Sequence, residues 1–370
     1  MNILVLNWQD IRNPMGGGAE VHLHEIFKRI VVRGHSVTLF CSSFPGAPAE
    51  EIVGGIRIIR QGGRNFFNYL VHRKYRQRFR HESYDVVVDD VNKIPFFTPL
   101  FVKEPVGGIL HHLFGKSIFS EASLFPALYV LGAEWLALRT YRRIPMAVVS
   151  ESTRQELLAN GFVDANLSLV PNCVDHKMYT PAAQPPQPHL IGYLGRLKKY
   201  KSVEDLLSAF AIVLKEIPDA RLAIMGDGDA RPLLEDVASE LKIRPRVDFL
   251  GFVSPAEKIR RLQSMSVVVN TSAKEGWGLT VIEANACGVP VIASDVPGLR
   301  DSVLHEKTGL LYEYGNIEQL AEKILLVLRD TNLRSRLSKE SVAWSLQFDW
   351  DHSADLMLKF LEGVVQRRKG

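Results

Sequence analysis

At 370 residues the chain is longer than one hydrophobic core usually supports, so two domains are expected, and 46% hydrophobic with 23% charged residues fits a soluble globular protein. The net charge of +4 arises entirely before residue 181, where 20 Lys+Arg stand against 16 Asp+Glu; the remainder carries 25 of each. Cys41, Cys173 and Cys287 lie far apart without CxxC or Cys/His spacing, which argues against a disulfide framework or zinc site and for a reducing, cytoplasmic compartment.

The opening stretch MNILVLNWQD has no basic leader, so no signal peptide is expected. Short β-branched runs then alternate with amphipathic segments: ILVLNW, a helix from about Ala19, SVTLFCS, DVVVDD, VGGILHH and AVVSEST. This alternation predicts parallel strands joined by crossover helices. Residues 1–180 form the expected N-terminal domain. PAAQPPQPH at 181–189, with four prolines in nine positions, is the expected linker.

The pattern restarts as LIGYLG, the helix VEDLLSAFAIVLKEI, RLAIMGDG, PLLEDVASELK, VDFLGF, AEKIRRLQSM, VVVNTS, a further apolar helix and PVIASD. Leu206, Leu207, Phe210, Val213 and Leu214 keep helical spacing and predict one apolar stripe laid on a sheet. Residues 190–345 form the expected second domain, and a last helix over roughly Ser353–Gln366, within a 346–370 tail, is free to pack back on the first domain. The fold class is thus α/β, two facing Rossmann-like, doubly wound domains, with the ligand expected beyond the strands' carboxyl ends in the interdomain cleft.

Four stretches carry candidate chemistry. NPMGGGAEVHLHEI places Gly16, Gly17 and Gly18 between a strand and a helix N-terminus, where free N–H groups favour anions; a plain tight turn is the alternative. It is not GxGxxG, and LFCSSFPG supplies no ribose-binding acid, which speaks against an NAD-dependent oxidoreductase. YLGRLKKYKSVEDLL sets Arg196 and Lys201 after a strand, suited to a diphosphate, with a solvated basic loop as the other reading.

In SAKEGWGLTVIEANACGVPVIASD, Gly276, Trp277, Gly278 and Leu279 offer backbone donors at a helix start, while Glu275 and Glu283 are suited to grip sugar hydroxyls. No local residue offers these carboxylates a partner. VGGILHHLFG places His111 and His112 at a strand's carboxyl end.

Two features point elsewhere. Asp227-Gly228-Asp229 resembles a metal-binding acidic pair, but it falls in a turn where Asp and Gly are expected as turn and cap residues, so no metal site is assigned. The run HRKYRQRFRH from His72 reads as one solvated helix face rather than a nucleic-acid surface.

Taken together, GGGAE, GRLKKYK, GDGD, KEGWGLTVIEANACGVPVIASD and VPNCVD resemble, in order and over nearly the whole chain, the retaining glycosyltransferases of family 4 with the GT-B fold. The resemblance implies transfer of a hexose from a UDP- or GDP-linked donor to a glycan or lipid-linked acceptor, with no cofactor and no metal. It implies that Glu283 holds ribose hydroxyls, Glu275 and the loop after it the donor sugar, and Arg196 and Lys201 the diphosphate. Gly16–Gly18 would close over the phosphates, and His111 would lie by the donor sugar. The departing phosphate oxygen would take the acceptor's proton.

This chain departs from the family in having Trp277 for Phe, Cys173 for Gly, and His112 for an acidic residue after His111. Cys173 replaces a residue able to take positive φ, and His112 is a candidate to touch the acceptor. A non-hydrolysing nucleotide-sugar epimerase and a non-catalytic nucleotide-sugar-binding protein are the alternatives, the first lacking an evident second acid–base pair. Phe114 to Arg143 joins an apolar body to a basic end, which suggests peripheral contact with the inner face of a membrane.

Overall fold

Runs such as NILVL and VVVN are short, β-branched and apolar on both faces, the pattern of parallel strands covered by helices on each side. The computed structural model describes residues 1–91, 94–120 and 123–367. Clustering of the chain separates two α/β units, Met1–Cys173 with Trp350–Gly370, and Val174–Asp349. The proline-rich stretch 181–189 lies inside the second unit and leads into its first strand.

The first unit contains β1 (Asn2–Leu6), α1 (Gly18–Val32), β2 (Ser36–Cys41), β3 (Glu50–Val53), β4 (Ile56–Arg60), α2 (Phe67–Gln77), β5 (Val86–Val91), β6 (Val106–Leu110), α3 (Leu124–Thr140), β7 (Met146–Val148), α4 (Glu151–Ala159) and β8 (Leu167–Leu169). The strands form one sheet in the order β3-β4-β2-β1-β5-β6-β7-β8. Only β3 with β4 is antiparallel. The chain leaves β1 in one direction along the sheet and returns to its other side as β5, so β1 and β5 flank the topological switch point. The basic run from His72 falls on α2 and its extension, which buries Phe67, Val71 and Tyr75 and leaves Arg73 and Arg76 exposed.

The second unit runs through β9 (Leu190–Leu194), α5 (Val203–Glu216), β10 (Arg221–Met225), α6 (Arg231–Glu240), β11 (Val247–Gly251), α7 (Pro255–Ser264), β12 (Val267–Asn270), α8 (Leu279–Ala286), β13 (Val291–Ser294), α9 (Leu299–Ser302), β14 (Gly309–Tyr312), α10 (Ile317–Arg329) and α11 (Thr331–Ser345). Its six strands are parallel, ordered β11-β10-β9-β12-β13-β14, with the switch point between β9 and β12. The expected stripe on α5 is buried at Leu206, Leu207, Phe210 and Val213, against Leu320, Ile324 and Leu328 of α10. Burying side chains of this size stabilises by about 1.5–3 kcal/mol each.

The last helix, α12 (Trp350–Gln366), starts three residues earlier than its sequence pattern suggests and belongs to the first unit, packed along α1. A Cβ on Gly107 of β6 would lie 3.1 Å from the Phe360 ring, so that glycine lets α12 approach the sheet. Cys173, expected to alter a positive-φ position, does not have positive φ; its buried thiol sits 3.1 Å from Ser353 Oγ.

Candidate active site

In the second unit the loops at the switch point carry the candidate residues. β9 ends in Gly195 and Arg196, and a short turn leads to Lys201 at the mouth of α5. β12 ends in Asn270, and the loop Thr271–Gly278 leads into α8. Two bonds sew the loops together: the Ala273 amide donates to the Tyr200 carbonyl at 2.8 Å, and Thr271 Oγ1 donates to the Lys201 carbonyl at 2.7 Å. Lys201 Nζ thereby meets Glu275 Oε1 in an ion pair, with Ser272 Oγ 2.9 Å from the same oxygen. Burial alone would depress the Lys201 ammonium, but Glu275, Tyr200 and Tyr193 lift it well above the usual lysine range.

Arg196 behaves differently. Its side chain is exposed and has no hydrogen bond or ion pair among the described residues. The two cations that the sequence placed together are therefore one clamped and one free.

The loop geometry depends on two glycines. Gly278, the N-cap of α8, sits at φ +92, where a Cβ would also press Ser302 Oγ at 2.9 Å. Gly298, at φ +84, faces the Glu275 carbonyl, and a Cβ there would lie 2.3 Å from that oxygen. No side chain caps α8, so the amides of Leu279 and Thr280 stand at an open helix N-terminus. Trp277 is buried, its ring 4.9 Å from Phe348, and its Nε1 donor has no protein acceptor.

Glu283, on α8, is buried and held by two residues from elsewhere in the unit. Lys258 Nζ of α7 donates to its Oε1 at 2.6 Å, and Tyr179 Oη donates to the same oxygen at 2.8 Å. The sequence reading left both glutamates without protein partners. The fold supplies Lys201 for one, and Lys258 with Tyr179 for the other, because crossover connections bring 74, 25 and 104 residues of separation into contact. Asp227 and Asp229, set aside as metal ligands, pair with Arg231 at 3.3 Å and Lys198 at 2.9 Å.

In the first unit the loop after β1 leads to Gly16–Gly18. It is anchored by Asp10, whose carboxylate receives Arg60 Nε at 2.7 Å and Arg60 Nη2 at 2.8 Å, both side chains fully buried. None of the three glycines has positive φ. The Gly17 amide is already committed, donating to Glu20 Oε2 at 2.6 Å, so an anion at this helix start meets the amides of Gly18 and Ala19 beside a buried carboxyl.

His111 follows β6 and is nearly buried. Its Nε2 lies 3.2 Å from Asp90 Oδ1 at the end of β5, and its ring stands edge-on to His22 at 5.2 Å. The His112 ring lies 4.5 Å from that of Phe114, tilted by 53°. The Phe114 and Gly115 amides donate to Glu134 of α3 at 2.6 and 3.0 Å, which pins the loop that follows.

Sequence reasoning missed Asp90, Glu20, Lys258 and Tyr179. A signal existed for the first: DVVVDD ends an otherwise apolar buried strand in two acids, which a central parallel strand does not carry without partners.

Two family descriptions match in tandem, Glycosyltransferase Family 4 over residues 16–177 and Glycosyl transferases group 1 over residues 180–344. D-inositol 3-phosphate glycosyltransferase of Jonesia denitrificans is 35% identical over 48% of this chain and 43% of its own length, so the match spans less than half of that relative. Phosphatidyl-myo-inositol mannosyltransferase of Mycobacterium tuberculosis is 26% identical over 94% of both chains. Anabaena HepE, solved in complex with UDP-glucose, superposes with a TM-score of 0.78 at 20% identity, covering 98% of this chain and 100% of that one. The chain belongs to the group 1 glycosyltransferases of family 4, with the GT-B fold.

Proposed function

We propose that the chain is a retaining, metal-independent hexosyltransferase that moves a hexose from a UDP- or GDP-linked donor to a hydroxyl on a growing glycan or lipid-linked sugar. The observation that carries this reading is the charge layout at the β9/β12 switch point. There, Arg196 is exposed and unpaired, Lys201 is held against Glu275, and the N-terminus of α8 is uncapped. Breaking an anomeric bond places negative charge on the diphosphate, and these cations and amides are the groups that stabilise it. The UDP-glucose bound by the solved HepE supports a nucleoside diphosphate donor.

In this reading Arg196 binds the diphosphate as a planar fork, and Lys201 exchanges part of its pairing with Glu275 for the incoming phosphate. Glu275, relieved of that partner, accepts from donor-sugar hydroxyls together with the amides of Gly276–Leu279. Glu283 keeps Oε1 on Lys258 and Tyr179 and offers Oε2 to ribose hydroxyls. His111 serves the reacting sugar, and Gly16–Gly18 the phosphates. The leaving oxygen takes the acceptor's proton, so no separate side-chain base is assigned.

Phosphorus NMR of the protein with UDP- and GDP-hexoses, a lipid-linked sugar extract and a chelator tests the reading. Release of one nucleoside diphosphate with a new glycoside of unchanged anomeric configuration is the expected result. No turnover of either donor class, or an inverted product, contradicts it.

The acceptor side of the reading extends to a cytoplasmic protein working at an anionic membrane. It is supported by α3, which exposes Phe125 (82%) and Trp135 (56%) along with Leu124, Leu128 and Tyr129, while Arg139 lies 3.4 Å over the Trp135 ring. Arg142 and Arg143 continue the basic end; residues 121–122 of the stretch lie outside the described residues. No helix among the described residues is long and apolar enough to cross a membrane. Co-flotation with phosphatidylglycerol vesicles at low salt, lost in Phe125→Ser/Trp135→Ser, is expected; absence of flotation removes this part.

A further inference from the structure

Asp90 is a buried acid with no hydrogen-bond partner among the described residues. It is fully buried at the carboxyl end of β5, and neither of its oxygens accepts a hydrogen bond of good geometry. A buried carboxylate in that state is costly unless a cation stands by it. Among the described residues the basic group within reach is His111 Nε2, 3.2 Å away just after the neighbouring strand, where Asp90 is registered against Ile109. The preceding residue, Asp89, points to the opposite face of the strand, where Thr98 and Tyr141 donate to its Oδ2 while Oδ1 accepts no hydrogen bond among the described residues, so the two acids have separate partners.

Among the described residues, the remaining groups around His111 bring no competing cation. From α1, Glu20 brings a second carboxyl and His22 a second imidazole, whose Nε2 contacts the Val170 carbonyl at 3.0 Å. Burial, with the neighbouring His111, pushes His22 down to about 3, so it is neutral. From α4, Thr153 Oγ1 donates to the His111 carbonyl at 3.2 Å, which fixes the backbone but brings no charge. From α12, Trp350 covers His22 at 6.2 Å. Nε2 of His111 is buried toward Asp90, so the slight exposure that its ring keeps lies on other ring atoms.

We propose that Asp90 is a positioning residue for His111: it accepts from the Nε2–H, sets the ring plane, and leaves the opposite edge with Nδ1 to meet the reacting sugar. This rests on the reading of His111 as a group that serves that sugar. Burial on its own would lower the imidazole's basicity, but Asp90 and then Glu20 raise it above the ordinary histidine value. Asp90 and Glu20 thus favour the protonated imidazole, in which Nδ1 donates rather than accepts.

The test has two arms on the full chain. In the first, the His111 ring signal is followed by NMR through a pH titration in wild type, Asp90→Asn and Asp90→Glu, with His111→Gln as the assignment control. Asp90→Asn keeps the shape of the side chain and should lower the His111 midpoint by about one pH unit or more, with Asp90→Glu in between. An unmoved midpoint in a folded Asp90→Asn protein overturns the proposal, whatever the protein's activity. In the second arm, Asp90→Asn should lower kcat on the order of tenfold to a hundredfold with little change in KM for the donor, and move the alkaline limb of the pH profile downward. A shifted His111 midpoint with wild-type kcat and pH profile refutes positioning for catalysis. Wild-type protein without transferase activity refutes the proposed function instead, and leaves the NMR arm to decide the Asp90–His111 pair.

Discussion

Both units gather ionisable residues at a switch point, yet they balance the charge differently. In the second unit each carboxylate faces a lysine, Glu275 with Lys201 and Glu283 with Lys258. Among the described residues of the first unit, Asp90 and Glu20 ion-pair with no lysine or arginine, and the basic group beside Asp90 is the His111 imidazole. Despite its burial, Lys201 is lifted by Glu275 well above the usual lysine range and stays charged across the physiological range. Histidine does not, so the first-unit cluster is the part of the molecule that responds to pH.

The largest effect that would sharpen this contrast is expected from Glu275→Ala. Transfer should fall by about a thousandfold or more if Glu275 holds the reacting sugar, as measured by donor turnover. The pairing with Lys201 adds a consequence for the fold. Removing one member leaves a poorly exposed ammonium without its partner, so stability should also drop by about 2 kcal/mol in denaturant unfolding. A variant that is inactive with unchanged stability would mean that the pair forms no lasting part of the free protein.

Asp89→Asn should produce a pH-dependent change in stability confined to the first unit. Burial raises Asp89 to about 6, despite hydrogen bonds from Tyr141 and Thr98 that act the other way. A carboxyl whose folded value lies above its ordinary 3.8 contributes stability below that value and loses it as pH rises through about 6. Relative to Asp89→Asn, the wild type should therefore lose roughly 2 kcal/mol between pH 4 and 7, read from paired denaturation curves. Parallel curves would show that this carboxyl titrates normally.

Gly298→Ala is expected to cost roughly 2 kcal/mol or to displace the Glu275 loop, since it meets both the positive φ and the Glu275 carbonyl. Its thermal midpoint and its donor KM should worsen together. Lys258→Ala tests the other carboxylate. Freed of its cation, Glu283 should bind nucleoside diphosphate about tenfold more weakly, and Tyr179→Phe only a fewfold. If Lys258→Ala tightened binding, the lysine would be a competitor of the ligand rather than a support for Glu283.

Much of this architecture could be read from the chain, because parallel strands and amphipathic helices write their periods locally. NILVL, SVTLFC, VVVN and the α5 stripe are such cases. The β3–β4 hairpin was missed because EEIV and IRIIR mix charge into short edge strands, and β14 because GLLY is only four residues. The motifs carrying Arg196, Glu275 and His111 were legible as loops after strands. Their partners were not, since Lys258, Tyr179 and Asp90 lie in other elements and become neighbours only through sheet order. Local spacing also could not distinguish Arg196 from Lys201, as exposure and pairing are properties of the fold.

That distinction offers the most direct test of the donor site. Arg196 is exposed and unpaired, so replacing it disturbs nothing that holds the second unit together. Calorimetric titration of UDP and of GDP into wild type and Arg196→Ala, with chelator present, should show one nucleotide bound by the wild type and at least tenfold weaker binding by the variant at equal thermal stability. Equal affinity in the two proteins, or no binding of either nucleotide to the wild type, would contradict the assignment of the β9/β12 switch point as the diphosphate site.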